Sequence, residues 1–228
     1  MKRIIKNPEP QEFLDWKALE NEEWKPTYGG LQNPEKENLH KALLTEQGEI
    51  CCYCNRRIEL NDSHIEHLRP QNYPGKLYNH LALDYQNLLS SCQRDGKKGE
   101  PRHCGVLKAD WFEEPSFISP LEADCESKFG FTVDGQIFPT NEQDKASIET
   151  ISRLGLKIDK LKAGRNRAIE GFLLPDLTAK EVAQLISGLS SRDSNNRFHE
   201  FCTALLYVLK SNYWPTATRG KLTTDERR

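Results

Sequence analysis

The chain has 228 residues, with 32 Lys and Arg against 34 Asp and Glu and a formal charge of −2. That length fits one large domain or two small ones, and the charge balance excludes the general basic coat of a non-specific polyanion binder, so any polyanion contact must come from local patches. With 29% charged residues the core is modest, and a local staple such as a metal would support it.

Met1 to Pro8 carries no apolar stretch of the signal-peptide kind. The longest apolar-rich run, Phe201 to Leu209, is too short to span a bilayer. Seven cysteines, three of them within four positions, suit a metal better than a disulfide framework. The expectation is a cytoplasmic protein with no membrane partner.

In chain order, residues 7–38 are rich in Pro, Trp and Glu and read as a short helix around 10–19 followed by an arm packed over the core, with a partner-binding arm as the sharper alternative. A helix is expected over 35–47, with Leu39, Leu43 and Leu44 on one face and Gly48 as its stop. Short extended segments follow at 58–62 and 64–68 around an Asn61-Asp62-Ser63 turn. Pro70 and Pro74 then impose a loop. Residues 81–87 approach a second strand or loop edge, and 88–92 read as the start of a turn. A Gly/Lys/Arg loop spans 93–102, and 104–112 can start a helix.

Lys128 to Phe138 reads as a hairpin closed by Asp134-Gly135. From Asn141 on, Ile148, Ile151, Leu154, Ile158, Leu161, Ala168 and Phe172 recur at helical spacing, with Asn141 or Thr140 as cap and Pro175 as terminator. Thr178 with Glu181 forms a capping box for a further helix. A last helix runs over 197–213 with Phe198, Phe201, Leu205, Val208 and Leu209 inward.

The chemistry is concentrated between residues 51 and 104. Cys51 and Cys54 form a Cys-x2-Cys turn that can hold one tetrahedral ion. Cys92 and Cys104 are the candidates for the second pair, although eleven residues separate them, and Asp95 or His103 could replace one. Cys52 is expected to pack away from the ion, and Cys125 and Cys202 to be buried small hydrophobes. Phosphodiester hydrolysis needs a base for water and positive charge on the developing oxyanion. His67 can be that base, because imidazole titrates near neutrality. Glu66 offers a hard ion a carboxylate. Strand neighbours point to opposite faces, so the pair must lie where a strand ends.

Glu66-His67-Leu68-Arg69-Pro70 resembles the acid-His-x-x-Pro core of the HNH endonucleases, and Asn87-Leu88-Leu89-Ser90-Ser91-Cys92 resembles that family's Asn-Leu-x-x-x-Cys. More narrowly, residues 47–54, His64-Ile65-Glu66-His67, Ser91-Cys92 and His103-Cys104-Gly105 are similar to the HNH nucleases of Septu-type and retron-associated antiphage systems, over about residues 38–170. The resemblance implies an α+β fold: a zinc-supported ββα-metal core with an N-terminal arm and a C-terminal helical region. Its expected divisions are 1–48 for the arm and first helix, 49–113 for the core, 114–140 for a hairpin extension and 141–228 for the helical region.

By the same resemblance, His67 is the general base, Glu66 a ligand of a catalytic Mg2+ or Mn2+, and Asn87 the residue that orients the His67 loop. Cys51, Cys54, Cys92 and Cys104 hold a structural Zn2+. The chain departs from the family at Gly105, where His or Asn is usual, so the missing ligand falls to His103 or, alternatively, Asp110. His64 either assists the site or simply lines the strand.

Arg94, Lys97, Lys98 and Arg102, in the loop beside the site, are candidates for phosphate contact. A second basic stretch, Arg153, Lys157, Lys160, Lys162, Arg165 and Arg167, reads equally as a solvated helix face. The implied activity is metal-dependent hydrolysis of nucleic acid, DNA before RNA, by the toxic effector of a defence complex. The family's setting implies an ABC-type ATPase partner and, in some systems, a reverse transcriptase with its noncoding RNA. The rivals are a ribonuclease using the same site and a catalytically silent zinc module that bridges partners.

Overall fold

Pro10, with extended backbone, opens helix α1 (Gln11–Lys17), and Phe13 and Trp16 stack on its inner face with ring centroids 5.9 Å apart. In a computed structural model, which describes residues 1–93, 99–173 and 177–219, this helix lies against α2 (Glu35–Glu46). Leu39 and Leu43, four residues apart on one helical face, are buried there. Glu35 and Glu37 complement the dipole in the first turn of α2. The chain leaves α2 through Gly48 at φ +63°, where an added Cβ would sit 2.9 Å from the Phe198 backbone nitrogen. Glycine is needed there for the turn and for the close approach.

Strands β1 (Ser63–His67) and β2 (Leu88–Cys92) pair antiparallel, with Glu66 opposite Leu89 and His67 opposite Leu88. Helix α3 (Cys104–Lys108) follows and packs on β2. Three expectations change here. Residues 88–92 form a strand rather than the start of a turn, because all five residues are buried and pair with β1. Residues 58–62 form no strand, because Asp62 Oδ1 accepts from the Glu59 N–H at 2.7 Å and diverts the backbone into a turn. The helix expected over 104–112 ends at Lys108.

Strands β3 (Phe129–Phe131) and β4 (Ile137–Pro139) make the second hairpin. Its turn is wider than an Asp-Gly pair, since the Thr132 N–H donates to the Gln136 carbonyl and, within the pair, Gly135 alone has positive φ. The periodic stretch after Asn141 is two helices, α4 (Lys145–Arg153) and α5 (Asp159–Glu170). Asp144 caps α4, taking the place expected for Asn141 or Thr140. Between the two helices Gly155 turns at φ +58°. That break puts the Leu154 carbonyl where the Cys104 N–H meets it at 2.8 Å.

Helix α6 (Ala179–Ser190) carries the expected Thr178–Glu181 capping box, and α7 (Cys202–Arg219) closes the described chain. Pro175 lies outside the described residues. The fold is therefore mixed α and β, with seven α-helices and two two-stranded sheets among the described residues.

The β1–β2 hairpin divides two hydrophobic clusters. Ile65 and Leu88 join Phe13, Trp16, Leu31, Leu39 and Leu43 on one side, which makes the arm a packed element. Leu89, Cys92 and the other thiols of the 51–104 region join the larger cluster built from β3, β4 and the later helices. No described helix is long and apolar enough to cross a membrane. The second basic stretch is largely absorbed by the fold. Arg165 is buried and donates to the carbonyls of Gly135 at 2.7 Å and Leu156 at 2.8 Å. Lys160 and Lys162 pair with Glu100 and Asp134.

Candidate metal centre and active site

Four buried thiols converge although the chain delivers them from three places. Cys51 and Cys54 come from the turn that the Ile50–Arg57 bridge closes, Cys92 ends β2, and Cys104 begins α3. Gln93 closes the gap between the last two. Its Nε2 donates to the Pro101 carbonyl at 3.0 Å, and its Oε1 accepts from the His103 N–H at 2.9 Å. The four Sγ atoms lie within 4.8 Å of one another.

Tetrahedral zinc with Zn–S bonds of about 2.3 Å requires sulfurs about 3.8 Å apart, and Cys54 and Cys92 stand at 3.8 Å. The donor set therefore fits zinc. Burial pushes the thiols up and, with its neighbours' hydrogen bonds, leaves Cys104 well above the ordinary range, while hydrogen bonds from Cys104, Cys52, Cys54 and Cys92 pull Cys51 well below it. Cys104 holds φ +55°, a strained conformation for a residue with a side chain. Cys52 is buried in the large cluster, as are Cys125 and Cys202 in the interior.

Side chains of β1 alternate, so His64 and Glu66 share the face turned to α3, while Ser63, Ile65 and His67 face the arm. Glu66 is buried and divides its oxygens between partners. Oε1 lies 2.9 Å from Lys108 Nζ and accepts from the Tyr53 hydroxyl at 3.1 Å. Oε2 lies 3.4 Å from His64 Nε2. Burial alone would raise the Glu66 carboxyl, but Lys108 and then His64 outweigh it and hold it below the usual carboxylate value. Glu66 is thus an ionised carboxylate at neutral pH.

His67 ends β1 and is locked at both ring nitrogens. Nε2 lies 3.0 Å from the Ala82 carbonyl, which only an N–H can satisfy, so the proton sits there. Nδ1 is left as the acceptor and receives the Gln71 amide at 3.3 Å. Tyr28 stands edge-on to the imidazole at 4.4 Å. Burial lowers the His67 pKa, while the Ala82 contact and the nearby Glu66 charge pull it back up.

Asn87 ties the surrounding loops together. Its Oδ1 accepts from the Arg69 N–H at 2.8 Å, and its Nδ2 donates to the carbonyls of Arg69 at 3.0 Å and Leu81 at 3.2 Å. It therefore holds both the segment after His67 and the segment that supplies Ala82. A cavity of about 240 Å³ is lined by Tyr28, Lys36, His40, Ser63, His64 and Ile65 among others.

Not every expected residue arrives at this place. His103 turns its ring to the sulfurs, with Nδ1 3.1 Å from Cys104 Sγ and 3.6 Å from Cys92 Sγ. Asp110 is exposed in the turn beyond α3. Neither makes a hydrogen bond or ion pair with Glu66 among the described residues, whereas His64 does. Arg102 is exposed beside the thiol centre, and Arg94, Lys97 and Lys98 lie outside the described residues, as does Asp95.

Lys108, Gln71, Tyr53 and Tyr28 were not anticipated. Lys108 had a readable signal, since it stands one helical turn after Cys104 and so returns to the same face. Gln71 and Tyr28 reach the site through loops, for which no sequence period exists.

No family model matches the chain. Over 142 residues, 60% of the chain, it is 32% identical to a Vibrio cholerae protein named "Retron Vc95 putative HNH endonuclease". Over 88 residues, 36% of the chain, it is 36% identical to the Septu protein PtuB of Bacillus thuringiensis. The matches span 66% of the first relative's length and 33% of the second's, less than two thirds of either. By sequence, the chain is a relative of the retron protein so named and of a Septu PtuB protein.

Proposed function

We propose that the chain is a metal-dependent HNH endonuclease, with β1, β2 and α3 as its ββα-metal core, that hydrolyses phosphodiester bonds of nucleic acid, DNA first. The observation that carries this reading is the state of His67: buried, neutral, with its proton fixed on Nε2 and its Nδ1 lone pair available beside an ionised Glu66. A general base must be unprotonated at working pH and within reach of the proton it takes. Nδ1 meets the first condition, and exchange of the Gln71 amide for water would meet the second.

Glu66 would hold a hard divalent cation, its Oε2 being the oxygen that Lys108 and Tyr53 leave open. Mg2+ or Mn2+ bound there would supply positive charge for the phosphate oxygens. His67 takes the proton of the attacking water at Nδ1, and the Ala82 carbonyl stabilises the imidazolium that forms. Asn87 positions His67 by holding the loops on either side of it. Lys36, at the cavity wall, and Arg102, beside the thiols, attract phosphates without reading bases. The four cysteines hold one structural zinc that fixes β2 and α3 against the 51–54 turn.

Kinship with proteins named for retron and Septu systems supports a role as the effector of an antiviral defence complex. A cytoplasmic setting, an ABC-type ATPase partner and, in a retron setting, a reverse transcriptase with its noncoding RNA belong to the same proposal. The division at residues 48, 113 and 140 belongs to the same proposal. The decisive experiment incubates the zinc-loaded protein with plasmid DNA and with RNA, side by side, in Mg2+ or Mn2+. Wild type is expected to cleave DNA and His67→Ala to be at least 100-fold slower. Equal behaviour of the two proteins would leave the silent zinc module, and cleavage of RNA alone would make the protein a ribonuclease.

A further inference from the structure

Gly105 follows the fourth cysteine, and the space its missing side chain would fill is already taken. A Cβ built on Gly105 would lie 2.3 Å from Glu66 Oε2 and 2.8 Å from His64 Nε2. No side chain can grow from position 105 while those two groups stay where they are. We infer that His64 Nε2 and Glu66 Oε2 together bind the divalent cation, with His64 reaching from β1 into the place a ligand on α3 would otherwise occupy. The inference rests on the metal-dependent reading above and names its second protein ligand.

Three observations converge on this pair. The two atoms are 3.4 Å apart, and one ion with bonds of about 2.1 Å can bridge that separation. Glu66 Oε2 has no other hydrogen-bond or ion-pair partner among the described residues, because Lys108 and Tyr53 both address Oε1. His64 Nδ1 has no hydrogen-bond partner among them either, so the proton that Nε2 holds toward Glu66 Oε2 can move to Nδ1 when Nε2 takes an ion. The spacing also follows from strand geometry, since residues two apart in β1 point the same way. His64 also lines the cavity that Tyr28 and Lys36 share. His103 and Asp110 are not needed for this site.

The test is Mn2+ titration of the zinc-loaded full chain, followed by electron spin echo spectroscopy of the bound ion. Wild type is expected to bind one Mn2+ with a 14N coupling from a directly bonded imidazole. His64→Ala should lose that coupling and bind at least 10-fold more weakly, with zinc content unchanged. His67→Ala should keep the coupling. Should His64→Ala fold poorly, His64→Gln retains a polar group beside Glu66 while removing the imidazole, and the same loss is expected. A nitrogen coupling that survives in either His64 variant overturns the inference. If Glu66→Gln abolishes binding while the His64 variants bind as wild type, Glu66 remains a ligand and His64 does not. If wild type takes up no Mn2+ beyond zinc, the metal-dependent reading falls, and this inference with it.

Discussion

Lys108 Nζ stands 2.9 Å from Glu66 Oε1, and both side chains are buried. The same ammonium donates to the His67 carbonyl at 3.0 Å. One cation on α3 therefore grips the last two residues of β1. Breaking a buried pair from one side leaves an uncompensated charge, at a cost of about 3–5 kcal/mol. Lys108→Met is expected to lose about that much stability in urea unfolding. The Lys108→Met/Glu66→Gln double variant should recover part of it, and a double-mutant cycle that shows no coupling would contradict the pairing.

Proton linkage at His67 sets the acid side of the pH profile. Its pKa lies below the ordinary 6.5 because burial disfavours the imidazolium. The neutral form is the base, so kcat/KM should rise with pH through a value below 6.5 and be level from pH 7 to 8. In the unfolded chain His67 protonates nearer its ordinary value, so this group subtracts stability as pH falls below 6.5. Glu66 acts in a lower window. Its folded pKa is depressed, so its contribution is complete above its ordinary 4.5 and is lost as pH falls through the folded value. A rate profile with its acid inflection above 6.5 would argue against His67 as base.

Metal analysis should find one zinc per chain. Cys51→Ser is expected to lose both the zinc and the native circular dichroism signal, because folding and binding are coupled at such sites. Cys52→Ser should keep the zinc, since Cys52 is not among the four clustered thiols. Loss of zinc in both variants would break the assignment.

Asn87→Ala removes three hydrogen bonds and leaves the Arg69 N–H and two carbonyls without this partner. At about 1 kcal/mol for each bond, stability should fall by about 2–4 kcal/mol. Because Asn87 holds the segments on both sides of His67, the acid inflection of the rate profile should also move toward 6.5 as the ring gains water. A variant that is destabilised without that shift would reduce Asn87 to a structural role.

Arg102→Ala should weaken DNA binding similarly across sequences and reduce the salt slope by about one unit, as expected for a single phosphate contact. An unchanged slope would exclude Arg102 from the interface.

Much of this architecture was legible where side-chain chemistry and local backbone agree. The Thr178–Glu181 capping box, the Gly48 stop and the Cys-x2-Cys turn each need few residues and no distant partner. Residues 88–92 misled because Ser90 and Ser91 read as turn formers, yet both are buried where β2 pairs with β1. The break at Gly155 was hidden because helical spacing of apolar residues continues across it. Arg165 looked like surface charge, and only the fold brings the Gly135 and Leu156 carbonyls to it. At the site, His64 and Glu66 could be placed on one face by strand alternation. The absence of room at Gly105 could not be read, because it depends on how closely α3 approaches β1.

The turn that carries Cys51 and Cys54 is also the seat of the last helix. The Phe201 N–H donates to the Asn55 carbonyl at 2.8 Å, the Thr203 hydroxyl to Asn55 Oδ1 at 2.7 Å, and the Phe198 N–H to the Gly48 carbonyl at 3.0 Å. Deleting the C-terminal segment to map a binding partner would therefore uncover the sulfur centre as well. A shortened chain that fails a binding assay would report a collapsed metal staple as readily as a missing interface. Single substitutions on the outward faces of α6, with zinc content measured alongside, separate the two.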